Sequence, residues 1–371
     1  MKDELNMTAC VISSYAYIEK HINYGALFQY YALERVLEDI GISAYWLKYV
    51  IQDQSISTKL KHRLRRLFCS KSKEIEKTLE SFQKFINEYC KSSKDVYYSE
   101  KELEKKLPVA DIYITGSDQV WGGTLKPNYL CFVPTEKYKC SYAASFGKDK
   151  LSDDQIRQIK PWIDRLDKVS VREVSGVNIC NNLGIQSELV LDPTLLVSPN
   201  VYPNIDVLTS VDVFGYFLNL TSKKIPSYIV IKDWINSNHL SIKISVTKET
   251  YRYVDKQWQE FVSPIEWISN YRQAKYILTN TFHGTVFAII FHKKFLYFPQ
   301  EGEHSKQNVR ITELLSNLGL ANRIFDKNQD LGVQIERDIK WSEVDNKINI
   351  QRNISLNYLK KIRQEALCRI K

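Results

Sequence analysis

Residues 276–291 read Tyr276-Ile-Leu-Thr279, Asn280-Thr-Phe-His-Gly284, Thr285-Val-Phe-Ala-Ile-Ile-Phe291. The first block is a short apolar run typical of a buried strand, and the last is an apolar run with helical spacing. The polar block between them, which contains a glycine, predicts a turn. A strand that passes through a short polar turn into a helix is the basic unit of an α/β fold with parallel sheets.

The same order recurs along the chain and predicts an α/β fold with two Rossmann-like lobes facing across a cleft. The first lobe is expected over 1–200, with a basic and helical insertion at 55–105. Residues Val197 to Val211 are rich in Pro, Asn and Ser, which predicts a junction between lobes. The second lobe is expected over 212–345, and a C-terminal helix over 346–371 returns to the first lobe.

Composition and charge restrict the class of protein. The chain has 371 residues, of which 44% are hydrophobic, so it can bury a substantial core in each lobe. Seven cysteines without a Cys-x-x-Cys pair indicate reduced thiols. No apolar stretch reaches the roughly 20 residues needed to cross a bilayer, and the charged N-terminus does not resemble a signal peptide. We therefore expect a cytoplasmic protein.

The net charge of +9 is concentrated in one segment, Lys59 to Lys73, which carries seven Lys and Arg residues and no acid. Its leucines fall on one helical face, so it could lie on an anionic membrane surface at the inner face of the cell membrane. The alternative is a solvated helix packed on the protein body. No nucleic-acid-binding motif accompanies the charge, so nucleic acid is not expected as a partner.

Polar residues at predicted strand ends form the candidate site, because ligands bind at the carboxyl ends of parallel strands. His283 follows one strand and precedes a helix, where it could donate to phosphate or transfer a proton, or simply be a hydrogen-bonded core histidine. Asp118 could act as a base or cap the next helix. Arg172 and Arg310 could hold a carboxylate or phosphate, or form surface ion pairs. Asp192-Pro193 is interpreted as a structural turn.

Several nucleotide and metal motifs are absent. The chain has no G-x-G-x-x-G, no Walker-type loop, no H-E-x-x-H and no D-x-D, and its His and Cys residues lack metal-ligand spacing. We expect no metal and no cofactor.

Seven blocks along the chain resemble the polysaccharide pyruvyl transferase family. They are Asn23-Tyr-Gly-Ala26, Ile114-Thr-Gly-Ser-Asp-Gln-Val-Trp121, Ser141-Tyr-Ala-Ala-Ser-Phe-Gly147, Val171-Arg-Glu173, Val190-Leu-Asp-Pro-Thr194, Thr279-Asn-Thr-Phe-His-Gly-Thr285 and Asn308-Val-Arg-Ile-Thr-Glu-Leu-Leu315. The resemblance extends from about residue 10 to 325 and does not include 55–105 or the tail after 330.

The resemblance implies a fold similar to the glycosyltransferase B class and a pyruvyl transfer in capsule or other surface polysaccharide biosynthesis. Phosphoenolpyruvate would be the donor and co-substrate, a hexose of a polyprenyl-diphosphate-linked glycan the acceptor, and a pyruvate ketal the product. His283 and Asp118 would be catalytic. The donor would contact Arg172, Arg310, His283, Gly284, Asn280 and Thr281, and the acceptor Asn23, Tyr24, Gly25, Ser117, Asp118 and Gln119.

One departure from the family concerns position 281. A different branch has Arg-Leu-His where this chain has Thr281-Phe-His283, so the donor-binding arginine of that branch is missing. Arg310 or Arg172 is expected to replace it. A nucleotide-sugar-dependent glycosyltransferase on the same fold is the alternative function, and a glycan-binding protein without activity is a third.

Overall fold

The computed structural model describes residues 7–18, 20–51, 71–205, 211–220, 222 and 226–370. Of the basic segment Lys59 to Lys73, residues 59–70 lie outside the described residues. The predicted amphipathic helix and its membrane contact therefore stay predictions.

The first lobe is a parallel sheet with helices on both sides. Its five main strands are β1 Met7–Ile12, β2 Ile42–Tyr49, β3 Ser92–Tyr97, β4 Ile112–Thr115 and β5 Tyr138–Ser141, in the order β3-β2-β1-β4-β5. Two short parallel strands follow, β6 Ser170–Val171 and β7 Glu188–Leu189. The helices are α1 Tyr15–Ile18, α2 Tyr24–Asp39, α3 Ser72–Tyr89, α4 Glu100–Lys105, α5 Asp153–Ile163 and α6 Val174–Asn182.

The second lobe repeats this topology. Its strands are β8 Val213–Tyr216, β9 Ile242–Ser245, β10 Gln259–Glu260, β11 Tyr276–Thr279 and β12 Lys294–Tyr297, in the order β10-β9-β8-β11-β12. Its helices are α7 Pro226–Ser237, α8 Pro264–Gln273, α9 Phe282–Ile290, α10 Asn308–Leu318 and α11 Leu331–Glu336. Each sheet reverses its strand order between its first and fourth strands, the position where α/β sheets bind ligands. The predicted pair of Rossmann-like lobes is confirmed.

A long helix, α12 Trp341–Ile370, returns from the second lobe to the first. Tyr358 Oη donates to the carbonyl of Ser141 at 2.8 Å, and Tyr138 Oη donates to Glu365 at 2.7 Å. The predicted return of the C-terminal helix is confirmed, although the helix begins five residues before the predicted start.

Two elements differ from the sequence-based expectation. Strand β3 lies inside the range 55–105, which we predicted to be a helical insertion, and it pairs with β2 as an edge of the sheet. Three consecutive residues, 94–96, are exposed, so β3 lacks the apolar pattern of a buried strand. Helix α9 begins at Phe282 rather than at Thr285, because the Thr281 side chain accepts the Gly284 N–H at 3.0 Å and caps it.

The two lobes share one hydrophobic core. Tyr24 of α2 stacks on Trp267 of α8 with ring centroids 5.0 Å apart, and Phe28 packs against Phe287 of α9. These rings belong to a continuous cluster of buried residues from both lobes. An apolar seam of this kind holds the lobes in register and so fixes the geometry of the cleft.

Candidate active site between the lobes

The carboxyl ends of four strands bring charged side chains together at the seam. Asp118 follows β4, Arg172 follows β6, Asp192 follows β7, and His283 follows β11 from the other lobe. The side chain of Arg172 lies 2.7 Å from Asp192 and 3.6 Å from Asp118, and Nε2 of His283 lies 3.5 Å from Asp192. These residues are far apart in sequence, so the fold alone unites them.

His283 sits where the N-termini of two helices meet. It is the second residue of α9, and its imidazole packs against Gly25 in the first turn of α2. A methyl group on Gly25 would lie 2.1 Å from His283 Nδ1, so only glycine leaves room for the ring. Asn23 caps α2 by accepting the Ala26 N–H at 3.0 Å. The positive dipole ends of both helices therefore converge on His283, which favours an anion there.

Asp192 is the fully buried carboxylate of the cluster. One oxygen accepts the N–H and hydroxyl of Thr194, and the other accepts from Ser117 Oγ at 3.0 Å and from Arg172. Burial alone would raise the pKa of this carboxyl, but His283 and Arg172 outweigh burial and lower it well below its usual range. Asp192 is therefore ionised next to His283 Nε2, which has no hydrogen-bond partner among the described residues.

Arg172 is neutralised within the protein. Besides Asp192 and Asp118, its Nε lies 3.6 Å from Glu173, and its guanidinium lies 4.4 Å from the Phe282 ring. Burial lowers the pKa of Arg172, and the three acids raise it above the usual value. Its charge is already compensated, so Arg172 chiefly organises the carboxylates.

Arg310, at the start of α10, differs from Arg172 because no acid pairs with it in the described part of the chain. In the amide orientation that satisfies both groups, the Gln119 oxygen accepts from its two Nη atoms at 2.8 and 3.0 Å. Its Nε has no hydrogen-bond partner among the described residues. Burial, with the nearby charge of Arg172, lowers the pKa of Arg310 to about 10. Arg310 remains charged at neutral pH, and Glu173 and Asp118 raise its pKa only from beyond ion-pair distance.

Asp118 has a strained backbone and a partly open carboxylate. Its φ of 81° lies in the left-handed region, which costs a residue other than glycine about 1–3 kcal/mol. Ser14 Oγ donates to its carboxylate at 2.9 Å, and the side chain is 15% exposed. Burial raises the pKa of this carboxyl, but Arg172 and His283 lower it by more than burial raises it. The carboxyl is therefore ionised at neutral pH. No α-helix follows Asp118 directly, so the capping interpretation is wrong.

A cavity of about 470 Å³ adjoins this cluster. Its charged lining residues are the cations Arg172, Arg310 and Lys347 and the acids Glu173, Asp192 and Glu313, and its apolar walls come from Phe282 and from residues of β7, α10 and α12. His283 and Asp118 are not among its described lining residues. This volume lies in the range of small-molecule sites, and the cavity reaches both arginines.

Three of the predicted donor-binding residues make contacts that stabilise the fold. The Asn280 amide bridges to both the N–H and the carbonyl of Leu218, at 2.8 and 2.7 Å. Thr281 caps α9, and the N–H of Gly284 is already bonded to that cap. A methyl group on Gly284 would lie 2.2 Å from Thr279 Oγ1, so this glycine is required for packing. Asn280, Thr281 and Gly284 therefore each make a structural contact, and their contacts with the donor stay predictions.

The predicted acceptor residues divide into those that make structural contacts and those that lie at the open side of the cluster. Tyr24 is fully buried in the interlobe core and donates to the carbonyl of Val262 at 2.8 Å, so it cannot reach a ligand in the cleft. Asn23 caps α2, and Gly25 holds His283. Ser117 positions Asp192. Of the predicted acceptor set, Asp118 and Gln119 remain at the open side of the cluster.

Sequence reasoning missed the roles of Asp192 and Glu173. Asp192 was interpreted as a structural turn, although its position at a strand end was the same feature that singled out Asp118 and His283. Glu173 directly follows Arg172, and its carboxylate accepts the Phe146 N–H at 3.2 Å as well as facing Arg172. The acid that directly follows Arg172 in sequence is the feature that could have indicated the role of Glu173.

Within the described residues, no group of three His, Cys, Asp or Glu side chains could hold a metal ion. In the same part of the chain, no helix has the length and apolar character needed to span a membrane.

Comparisons with solved structures support the fold. The S. aureus MnaA–UDP co-structure has a TM-score of 0.53 at 8% identity, covering 89% of this chain and 86% of that one. A Listeria monocytogenes protein described as a UDP-N-acetylglucosamine 2-epimerase has a TM-score of 0.52 at 8% identity, covering 94% and 90%. At these identities the likeness concerns the fold alone, and it supports the two-lobed α/β architecture.

No curated protein matches the chain. A family model does: the model described as polysaccharide pyruvyl transferase matches residues 23–301, which include the first six resembling blocks and all the clustered side chains except Arg310. The chain therefore belongs to the polysaccharide pyruvyl transferase family.

Proposed function

We propose that this transferase moves the enolpyruvyl unit of phosphoenolpyruvate onto a hexose of a bacterial surface glycan, forming a cyclic pyruvate ketal and releasing phosphate. One observation carries the proposal: Arg310 forms no ion pair with a described acid, and it lines a cavity of small-molecule size that also reaches Phe282, the first residue of α9. A small, doubly anionic donor suits such a site.

The charges of the site indicate which cation replaces the arginine missing at position 281. Arg172 is surrounded by Asp118, Glu173 and Asp192, so binding a further anion there would repel those carboxylates. Arg310 is held by a neutral amide, and the acids Glu173 and Asp118 act on it only from beyond ion-pair distance. Arg310 is therefore the donor-binding cation, and Arg172 keeps the carboxylates in place.

The chemistry requires an acid near the methylene carbon of the donor. His283 gives a proton to that carbon, which becomes a methyl group and leaves positive charge on the carbon bearing phosphate. The carboxylate of Asp192, 3.5 Å from Nε2, pairs with the imidazolium before the transfer. Packing against Gly25 restricts the ring to one orientation.

The chemistry also requires a base for the acceptor hydroxyl. Asp118 is ionised and partly exposed, so it can take the proton as the hydroxyl oxygen bonds to the cationic carbon. The carbon–oxygen bond to phosphate then breaks, and phosphate leaves with the electron pair. The second hydroxyl attacks the same carbon and loses its proton, which closes the ketal. One hydroxyl proton restores His283, and the other leaves with phosphate.

The decisive variant is His283→Ala, assayed by phosphate release at saturating phosphoenolpyruvate. General acid catalysis is worth about 10²–10⁴-fold, so turnover falls by that factor while the donor still binds. His292→Ala is the control, because His292 is a half-exposed histidine paired with Asp345 at the surface. Wild-type turnover in His283→Ala would remove histidine from the mechanism.

The alternative functions give different products. A nucleotide-sugar-dependent glycosyltransferase would release a nucleotide and leave phosphoenolpyruvate untouched. A glycan-binding protein without activity would release neither product. Appearance of a ketal methyl group in the acceptor, with one phosphate per ketal, would separate the proposed transfer from both.

A further inference from the structure

Two lysines from opposite lobes lie close together beside the candidate active site. Lys148 follows β5 in the first lobe, and Lys306 follows β12 in the second. Strands β5 and β12 are the last strands in the two sheet orders, and each pairs with the strand that ends near Asp118 or His283. The lysines therefore follow the neighbouring strands at the same carboxyl edge of the sheets. The reaction steps proposed above use neither lysine.

The loop before Lys148 packs on the side chain that holds Arg310. Gly147 has a φ of 67°, and a methyl group on it would lie 2.6 Å from the end of the Gln119 amide. That amide accepts from Arg310 on its other side. Lys148 itself is half-buried, and its Nζ donates to Gln155 Oε1 in the first turn of α5 at 3.3 Å. Lys148 therefore has a fixed position on the loop that contacts the Gln119 amide.

The second lysine lies in the 3₁₀ turn Gly302–Gln307, which runs directly into α10. The base of this turn is fixed, because the Asn308 side chain accepts the Gln300 N–H at 2.9 Å and donates to the Gln300 carbonyl at 2.8 Å. Lys306 is exposed, and it stands about one helical turn before Arg310 on the same segment.

The charges of the two lysines are not compensated by described acids. Neither Lys148 nor Lys306 forms an ion pair with a described acid, although Asp149 and Glu303 are exposed beside them. Burial, and after it the charge of Lys306, lower the pKa of Lys148 below its usual value, and no described acid raises it. Like charges that approach each other in this way repel, and an anion between them removes the repulsion. The pair therefore has the electrostatics of an anion subsite.

The proposed donor supplies an anion of the right kind. Phosphoenolpyruvate carries a carboxylate, which stays in the ketal, and a phosphate, which must leave to solvent. Arg310 is buried and Lys306 is exposed, so the carboxylate suits the inner position and the phosphate the outer one. Lysine binds phosphate as a point charge, which matches a pair of ammonium groups from two lobes.

We infer that Lys148 and Lys306 bind the phosphate group of phosphoenolpyruvate from opposite lobes, while Arg310 binds its carboxylate. The inference rests on the proposed function, which it deepens by naming residues that orient the donor. The bound phosphate relieves the repulsion between the lysines and joins the two lobes beside the active site. After the transfer, phosphate leaves from the exposed side of the pair.

The test measures the affinity of the full chain for phosphoenolpyruvate and for inorganic phosphate by calorimetric titration. Lys148→Met and Lys306→Met remove the charge and keep the length of the side chain, and Lys150→Met, at the next and exposed lysine of the same loop, is the control. We expect each variant to bind both ligands about three- to tenfold more weakly, and the double variant at least tenfold more weakly, with no change in the control. Arg310→Gln should weaken phosphoenolpyruvate and leave inorganic phosphate unchanged.

Melting temperatures separate this role from a structural one. Because the lysines repel each other without a ligand, each Met variant should melt at or above the temperature of the wild type, and phosphoenolpyruvate should raise that temperature less. Lys148→Arg and Lys306→Arg keep the charge and should retain most of the affinity. Equal affinity for inorganic phosphate in the wild type and the double Met variant, or a loss in the Arg variants as large as in the Met variants, would overturn the inference.

Turnover then separates the two proposals. Phosphoenolpyruvate consumption with the same KM in the wild type and the double Met variant refutes the inference and leaves the proposed function standing. A double variant in which the KM for the acceptor changes and that for phosphoenolpyruvate does not has the same meaning. Binding of inorganic phosphate that requires both lysines, in a wild type that does not consume phosphoenolpyruvate, refutes the proposed function while the phosphate subsite stands.

Discussion

Replacing Gly25 with alanine should disable the enzyme without unfolding it. The new methyl carbon would lie 2.1 Å from Nδ1, 2.4 Å from Cγ and 2.7 Å from Cβ of His283. Ordinary carbon–nitrogen contacts are about 3.5 Å, so the imidazole or the lobes must move by roughly 1.4 Å. Because Cβ is also too close, rotation of the ring alone cannot relieve the contact.

The expected magnitude follows from this displacement. A misplacement of about 1 Å at a catalytic group can cost about 10²-fold in rate, which is about 2.7 kcal/mol of transition-state stabilisation. Overpacking costs about 1–3 kcal/mol of stability, and the higher helix propensity of alanine at Gly25 offsets about 1 kcal/mol of that. The turnover number should therefore fall about 100-fold, while the free energy of unfolding changes by no more than about 2 kcal/mol.

Phosphate release at saturating phosphoenolpyruvate gives the rate, and urea unfolding gives the stability. Gly123→Ala is the matched control, because nothing lies within 4 Å of its added methyl group. In the double variant Gly25→Ala with His283→Ala, the stability loss should disappear, since the clashing ring is gone. Wild-type turnover in Gly25→Ala, or a stability loss that persists without the imidazole, would refute the contact between the lobes.

Three further predictions concern buried charges. Arg310→Gln should raise the KM for phosphoenolpyruvate about 10- to 100-fold in initial-rate measurements, the value of one charge-assisted hydrogen bond; an unchanged KM would contradict the donor role. Asp192→Asn should lower the free energy of unfolding in urea by about 3–5 kcal/mol, because Arg172 loses its closest acid; a change below 1 kcal/mol would contradict the buried ion pair. Burial raises the pKa of Glu34 from 4.5 to about 7, which makes the free energy of unfolding depend on pH by roughly 3 kcal/mol. This contribution is fully present below pH 4.5 and is lost as the pH rises through 7. The wild type should therefore lose stability relative to Glu34→Gln between pH 5 and 8, and parallel pH profiles would refute the prediction.

The lobes and their order could be predicted because apolar strands alternate with helices and polar turns throughout the chain. The starts of helices were predicted less accurately. Helix α9 begins three residues before the predicted Thr285, because Thr281 caps it. Strand β3 was not predicted, because charged residues at its exposed positions interrupt the apolar pattern by which a strand is recognised.

The candidate site was predicted in part. Strand-end position identified His283, Asp118 and Arg172, and the ability of arginine to hold an anion identified Arg310. The fold brings all four residues to one place. The same reasoning could not separate residues that bind a ligand from residues that hold the site together. Tyr24 and Asn280 lie beside Gly25 and His283 in sequence, yet one is buried between the lobes and the other binds the backbone of a neighbouring strand end. Those distinctions depend on long-range contacts, which a single sequence does not contain.

The central claim is that the site at Arg310 and His283 binds phosphoenolpyruvate, and calorimetric titration of the wild-type protein tests it without knowledge of the acceptor. The account predicts one phosphoenolpyruvate bound per chain, with affinity reduced at least tenfold in Arg310→Gln and unchanged in the surface control Arg157→Gln. No binding to the wild type at millimolar phosphoenolpyruvate, or equal affinity in the Arg310 variant, would contradict it.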